Sequence, residues 1–192
     1  MKKPSIKKLH IHKPEGITLR WLINIIGVVA LFFIIVFIIS VSALKSHYYA
    51  NVESILSSGA STTAVSYFTN NLEAGNSLEQ SAAEFIDSYS YKDKTTTWII
   101  DSDGEVILSS SGFAIEKQNM PDYTQALTNE KEVGKFVGRL DTGEKVMAIC
   151  RIIKNPQGDI AGAVRVMASL KQVDAQIFNL IFLILIGLIV VF

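Results

Sequence analysis

The chain has 192 residues, of which 49% are hydrophobic, and its 18 basic and 18 acidic residues give a formal net charge of zero. We expect no nucleic-acid partner from this balance. The single cysteine, Cys150, excludes an intrachain disulfide, so an extracytoplasmic domain has to be held by its own core. The charge is unevenly placed: residues 1–21 carry six bases against one acid, whereas residues 46–176 carry 11 bases against 17 acids, a balance of 11 − 17 = −6.

An apolar run without charged residues, Leu22–Ala43, separates these two parts. A helix of this length spans roughly 30 Å, enough to cross a bilayer core, so we predict a membrane helix over residues 22–44. The basic tail, residues 1–21, is then cytoplasmic, and residues 45–176 lie outside the plasma membrane. A cleaved signal peptide is the alternative, because Val41-Ser42-Ala43 resembles a cleavage site; the run is longer than a normal signal, however.

A second apolar run, residues 177–192, closes the sequence. Its helix would reach only about 24 Å, short of a bilayer core. We interpret it as the start of a second, truncated membrane helix in a longer parent protein. Two spans around an extracytoplasmic loop form a receptor-like layout.

Helical spacing dominates the first part of the loop. The pattern continues from Lys45 to a stop at Ala74-Gly75, and Ser77–Gln80 then matches a capping box that opens a shorter helix. A last helix begins near Leu170, capped by Ser169, and leads into the second apolar run.

Strand patterns fill the rest of the loop. The predicted strands are Thr95–Asp101, Glu105–Ser110, Gly134–Leu140, Lys145–Ile153 and Asp159–Ala168. A loop, Ser111–Met120, and a short helix, Tyr123–Leu127, separate the second strand from the third. The order predicts an α+β domain in which a five-stranded antiparallel sheet packs beside N-terminal helices.

Two segments resemble a known family. Thr97–Gly112 (TWIIDSDGEVILSSSG) resembles the first hairpin of the PAS-like extracytoplasmic sensor domains called Cache or PDC domains. Lys145–Val173 (KVMAICRIIKNPQGDIAGAVRVMASLKQV) is similar to their last two strands and their exit into the second membrane helix. Over about residues 20–192, the layout resembles the sensor half of a bacterial two-component sensor histidine kinase.

This resemblance implies a sensory input module that forms a homodimer along its first helices. ATP and a cognate response regulator are implied only for the full-length protein, because no kinase motif lies in residues 1–192 and catalysis would lie beyond Phe192. The same module on a chemoreceptor or a cyclic-dinucleotide enzyme is an open alternative. A membrane-anchored surface binding protein that transmits no signal is another.

No catalytic or cofactor motif is present in the sequence. Asp101, Asp103 and Glu105 surround Gly104 and could suggest calcium, but the twelve-residue EF-hand pattern is absent. Acids in a hairpin turn are usually solvated turn residues, so we predict no metal site.

Strand pairing predicts which side chains share a face of the sheet. Even-length turns would pair Arg139 with Val146 and Ala148 with Arg165. The opposite, bulky face would pack on the N-terminal helices. Its predicted members are Phe136, Leu140, Met147, Ile149, Ile153, Ile160, Val164 and Val166, with Arg151 as an exception.

The face with small residues is the predicted ligand site. Arg139 and Arg165 would bind a carboxylate or another anion in bidentate fashion, with Lys135 nearby and Tyr123 and Trp98 as wall residues. The alternative is that these arginines pair with surface acids. We expect the signal to be a small molecule or a protein. A small molecule that binds this site would be anionic.

Overall fold

The computed structural model describes residues 16–88, 95–111 and 119–191. Residues 1–43 and 44–192 form two separate compact units. In the described part of the first unit, large apolar side chains are exposed, as expected of a lipid-facing helix; Trp21 is 71% and Phe32 63% exposed.

One helix among the described residues is long and apolar enough to cross a membrane, and it begins at Leu19 with a mean hydropathy of 3.2 in its most apolar window. A signal sequence can have the same length and hydropathy, so the uncleaved membrane anchor stays a prediction. The predicted second span falls in the final helix. Among the described residues that helix does not count as a second one long and apolar enough to cross a membrane, so the span stays a prediction.

The elements follow the predicted order. The helices are α1, Gly16–Gly59; α2, Thr62–Glu73; α3, Leu78–Ser88; α4, Pro121–Thr128; and α5, Lys171–Val191. The strands are β1, Thr96–Asp101; β2, Val106–Ser109; β3, Val133–Arg139; β4, Lys145–Lys154; and β5, Ile160–Ser169. The predicted loop, residues 111–120, lies largely outside the described residues.

The five strands form one antiparallel sheet in the order β2-β1-β5-β4-β3. The predicted α+β architecture is confirmed. Gly104, Gly143 and Gly158 close the three predicted turns with φ near +84°, +83° and +91°, a region that other residues rarely adopt.

The first helical segment differs from the prediction of one helix running to Ala74. The chain breaks after Gly59, and α2 restarts with Ser61 as its N-cap, whose hydroxyl accepts a hydrogen bond from the Ala64 amide at 3.2 Å. On β4, Arg151 donates from Nε to the Ala60 carbonyl at 2.8 Å and so satisfies a carbonyl at the break.

The predicted helix ends are confirmed. Gly75, with φ near +86°, follows the end of α2, and its amide bonds back to the Leu72 carbonyl. The capping box is closed in both directions, since the Gln80 amide donates to the Ser77 hydroxyl at 3.2 Å and the Ser77 amide to the Gln80 side chain at 3.4 Å.

The predicted register of β3 was wrong by one residue. Arg139 pairs with Lys145 instead of Val146. The cause is an odd loop: the Leu140 amide bonds to the Glu144 carbonyl, which leaves three loop residues where an even number was expected. A shift of one moves every β3 side chain to the other face.

The predicted register of β5 was off by two residues, which preserves the face. Arg165 pairs with Cys150 instead of Ala148. The register shift beside Ile153 and Lys154 accounts for one residue of the offset. The odd turn accounts for the other, since the Asn155 amide bonds to the Asp159 carbonyl and leaves three loop residues.

The two faces of the sheet therefore pack against different elements. On the helix face, the predicted bulky residues Met147, Ile149, Ile153, Val164 and Val166 pack against α1, α2 and α3. The helix residues buried in this core are Leu56, Phe68 and Ala82, and Ala60 joins them from the break between α1 and α2. Phe136 departs from the prediction, because the β3 register places it on the opposite face against Ala148 and Trp98. Leu140 and Ile160, also predicted on the bulky face, are not among the residues of this core.

Candidate functional site

The second face of the sheet lies under α4, and we call it the α4 face. Its strand residues are Trp98, Ile100, Ala148, Cys150, Ile152, Ala163, Arg165 and Met167. Helix α4 approaches β3 very closely, since a Cβ on Gly134 would collide with the Asp122 carbonyl oxygen. A glycine is thus required at this position for α4 to lie on the sheet.

A buried ion pair lies at the centre of this face. Arg165 on β5 donates from Nε and Nη2 to the two carboxylate oxygens of Asp122 at 2.7 and 2.8 Å. Both side chains are fully buried. Such a bidentate arrangement compensates the guanidinium charge inside the fold.

Trp98 lies beside this pair. The Arg165 guanidinium carbon is 4.9 Å from the centroid of the Trp98 ring, a cation–π distance. Strand pairing explains the contact, because Trp98 on β1 is directly opposite Arg165 on β5.

Two buried donors on this face have no hydrogen-bond partner in the part of the chain that the structure describes. They are Nη1 of Arg165 and Nε1 of Trp98. Buried polar groups nearly always have a partner, and an unsatisfied one costs about 1–3 kcal/mol. These two donors are therefore available to an acceptor that reaches this part of the α4 face.

Tyr123 and Cys150 complete the surroundings of the pair. Tyr123, half-buried on α4, has its ring within 3.3 Å of the position a Cβ on Gly104 would take. Burial raises the pKa of Tyr123 above its usual range, and the nearby carboxylates of Asp101 and Asp103 raise it further. Burial also raises the pKa of Cys150, so its thiol stays protonated and packs as a small core residue.

The other two predicted site residues lie elsewhere. Since the β3 register differs by one, Lys135 and Arg139 belong to the face opposite Arg165, and the predicted two-arginine clamp does not form. Arg139 donates from Nη1 to the Gly143 carbonyl at 2.9 Å. Lys135 pairs with Glu53 of α1 at 2.6 Å.

The structure thus brings together Arg165 and Trp98, and it adds Asp122, which the sequence reasoning used only as a helix opener. Tyr123 lies on the same face, packed against the neighbouring cluster that includes Cys150. A usable signal was present: Arg165 lies in an apolar strand, and an arginine buried there requires an acid. The position of Asp122 in the first turn of a short helix identified one candidate acid.

The acidic turn serves the hairpin itself. The Asp101 carboxylate accepts hydrogen bonds from the amides of Asp103 and Glu105 at 3.0 and 2.8 Å. Within the described ranges, no three potential metal ligands come together.

Solved structures show what this fold is similar to. The ligand-binding domain of Mlp24 with asparagine superposes with a TM-score of 0.55 at 18% identity, covering 73% of this chain and 60% of that one. The ligand-binding domain of the Pseudomonas aeruginosa PAO1 amino acid chemoreceptor PctC, in complex with GABA, superposes with a TM-score of 0.51 at 14% identity, covering 75% and 62%.

The chain therefore spans about 60% of the length of these neighbours. No family model matches the sequence, and no curated protein matches it. The α+β fold of this chain is similar to that of these two ligand-binding domains.

Proposed function

We propose that this chain is the signal-sensing and transmembrane signal-transducing input region of a receptor, with a small-molecule site on the α4 face. The fold likeness supports the sensing role, because the two neighbours are described as ligand-binding domains and hold GABA and asparagine. The apolar helix that begins at Leu19 supports the membrane anchor. The receptor would act as a homodimer.

The pair of unpartnered buried donors is the observation that carries the proposed site. A ligand with carboxylate or carbonyl oxygens would supply acceptors for Arg165 Nη1 and Trp98 Nε1. Because Asp122 already compensates the guanidinium charge, the ligand contributes an acceptor without having to supply a counter-ion. Tyr123 would bound the site from α4, whereas Lys135 and Arg139 have no part in it.

We propose a sensor histidine kinase as the parent protein, on the sequence resemblance. A chemoreceptor is the second candidate, because the PctC neighbour is one. The gene sequence beyond the codon for Phe192 decides between them. A histidine-containing helix pair followed by an ATP-binding domain supports the kinase, and a long coiled coil without them refutes it.

The proposed site is tested by thermal unfolding of the detergent-solubilised chain with GABA, L-asparagine, acetate and a wider panel of small acids and amides. A ligand at 100 times its Kd stabilises the fold by about 2.7 kcal/mol. Trp98→Phe, which removes Nε1, should weaken binding of any hit. Arg165→Lys should also weaken it, because a lysine cannot hold Asp122 and donate to the ligand with the same fork.

Arg139→Ala is the matched control, since it removes the arginine that lies on the opposite face. Its affinity for the same compound should equal that of the wild type. A hit whose affinity falls with Arg139→Ala and survives Trp98→Phe would refute the proposed site. A panel without any hit would refute small-molecule sensing by this face.

A further inference from the structure

A second polar cluster lies at the end of the sheet where α5 begins. Lys145, the first residue of β4, donates from Nζ to the Tyr49 hydroxyl and to Asp174 Oδ2, both at 2.7 Å. The Tyr49 hydroxyl in turn donates to Asp174 Oδ1 at 2.7 Å. Three hydrogen bonds thus close a triangle whose corners belong to α1, β4 and α5.

We propose that Tyr49, Lys145 and Asp174 form a polar latch that fixes the first turn of α5 to α1 and to the sheet, and that opening the latch releases α5 while the sheet stays folded. The latch is a conformational device separate from the ligand site, and it does not depend on which ligand binds.

The backbone supports a direct role for Lys145 in positioning α5. The Leu170 amide, between β5 and α5, donates to the Lys145 carbonyl at 2.8 Å, and the Asp174 amide donates to the Leu170 carbonyl at 2.8 Å. Leu170 is fully buried in the core of the helix face. The residue that binds Asp174 through its side chain therefore also holds the start of α5 through its backbone.

The hydrogen bonds of the latch are short, but its charged side chains are partly exposed to solvent. The Lys145 and Asp174 side chains are 33% and 38% exposed. Exposed ion pairs contribute little to global stability, so opening this one costs only a small part of the stability of the domain. Two arrangements of α5 can therefore lie close in free energy, which a switching element requires.

The surrounding charges favour the closed state. Lys45 and Lys145 each place Nζ over the Tyr49 ring, 5.6 and 5.4 Å from its centroid. A cavity of about 510 Å³ beside the latch is lined by Arg139, Lys171 and Glu144 as well as by Lys145 and Asp174. Asp174 is thus an acid among several cations, and its replacement by a neutral residue removes the only negative charge of the triangle.

The position of α5 relative to α1 is the quantity that tests the latch. Spin labels on cysteines at Ser54→Cys and Ala175→Cys, both exposed positions, report this distance by pulsed electron spin resonance in the full chain carrying Cys150→Ala. Asp174→Asn and Tyr49→Phe each remove latch bonds with little change in shape. Tyr48→Phe is the matched control, because the neighbouring hydroxyl has no part in the triangle.

Asp174→Asn and Tyr49→Phe should broaden or shift the distance distribution, and the double variant should add little to Asp174→Asn alone because both break one unit. Tyr48→Phe should leave the distribution unchanged. Thermal unfolding followed by Trp98 fluorescence, with Trp21→Phe, should keep its midpoint within a few degrees in every variant.

Two results would overturn the proposal. An unchanged distribution in both latch variants means that the triangle does not position α5. A large common fall in the Trp98 midpoint means that the cluster supports the whole fold and does not act as a separate switch.

Discussion

The buried pair of Asp122 and Arg165 makes a strong prediction for Asp122→Asn. The substitution keeps the shape of the side chain but leaves the guanidinium fully buried without a counter-ion. Each of the two charge-assisted bonds contributes about 1.5–3 kcal/mol, and breaking one partner of a buried pair typically costs 3–5 kcal/mol. At roughly 4 °C per kcal/mol for a domain of this size, the unfolding midpoint should fall by about 10–20 °C.

The assay is thermal unfolding of the solubilised chain followed by Trp98 fluorescence. The sequence has two tryptophans, so Trp21→Phe leaves Trp98 as the only reporter, placed 4.9 Å from the pair. Asp141→Asn, at an exposed acid of the β3–β4 turn, is the control and should shift the midpoint by little.

The double variant Asp122→Leu with Arg165→Met separates charge from packing. Replacing both members of a buried pair by apolar groups is often neutral or stabilising, so its midpoint should recover most of the loss seen in Asp122→Asn. A midpoint for Asp122→Asn equal to that of Asp141→Asn would refute the reasoning, since it would mean that the guanidinium finds water or another acceptor.

Three further predictions concern packing, thiol chemistry and pH. Gly134→Ala should force α4 away from β3 and cost about 1–3 kcal/mol in urea unfolding; an unchanged urea midpoint would contradict the close approach. Cys150 should resist iodoacetamide in the folded chain and react fully in urea, because burial raises its pKa; rapid labelling of the native chain would show that the α4 face opens. The hydrogen bond that Lys145 donates to the Asp174 carboxylate lowers the pKa of Asp174 below its ordinary 3.8 and raises the pKa of Lys145 above its ordinary 10.5. The stability that Asp174 adds is therefore present above pH 3.8 and disappears as pH falls through the lowered pKa. The difference in free energy of unfolding between wild type and Asp174→Asn should be constant near neutral pH and shrink in acid. A difference that grows in acid would contradict this sign.

Much of the fold could be predicted because periodicity reports burial directly. Strands with a buried face alternate or are continuously apolar, and the five strand patterns were located within about two residues. The break between α1 and α2 was missed because the apolar positions continue at helical spacing through it. Ser61, after Gly59, was the local signal of a new N-cap.

The candidate site could be predicted only in part because it depends on register. A three-residue loop ahead of β4, allowed by the positive φ of Gly143, replaces the predicted four-residue loop and moves Lys135 and Arg139 to the opposite face. Sequence patterns fix the period of a strand but leave its alignment to the turn. The partner of Arg165 lies 43 residues away on another element, a contact that no local pattern encodes.

The junction between β5 and α5 has a consequence for engineered receptors. The strand ends at Ser169 and the helix begins at Lys171, so only the buried Leu170 separates them. Each residue inserted there would rotate α5 by about 100° about its own axis, whereas seven residues would return it to within about 20° of its original angle. Chimeras that join this domain to a foreign output should therefore depend on helical phase, and working fusions should recur at spacings of seven residues.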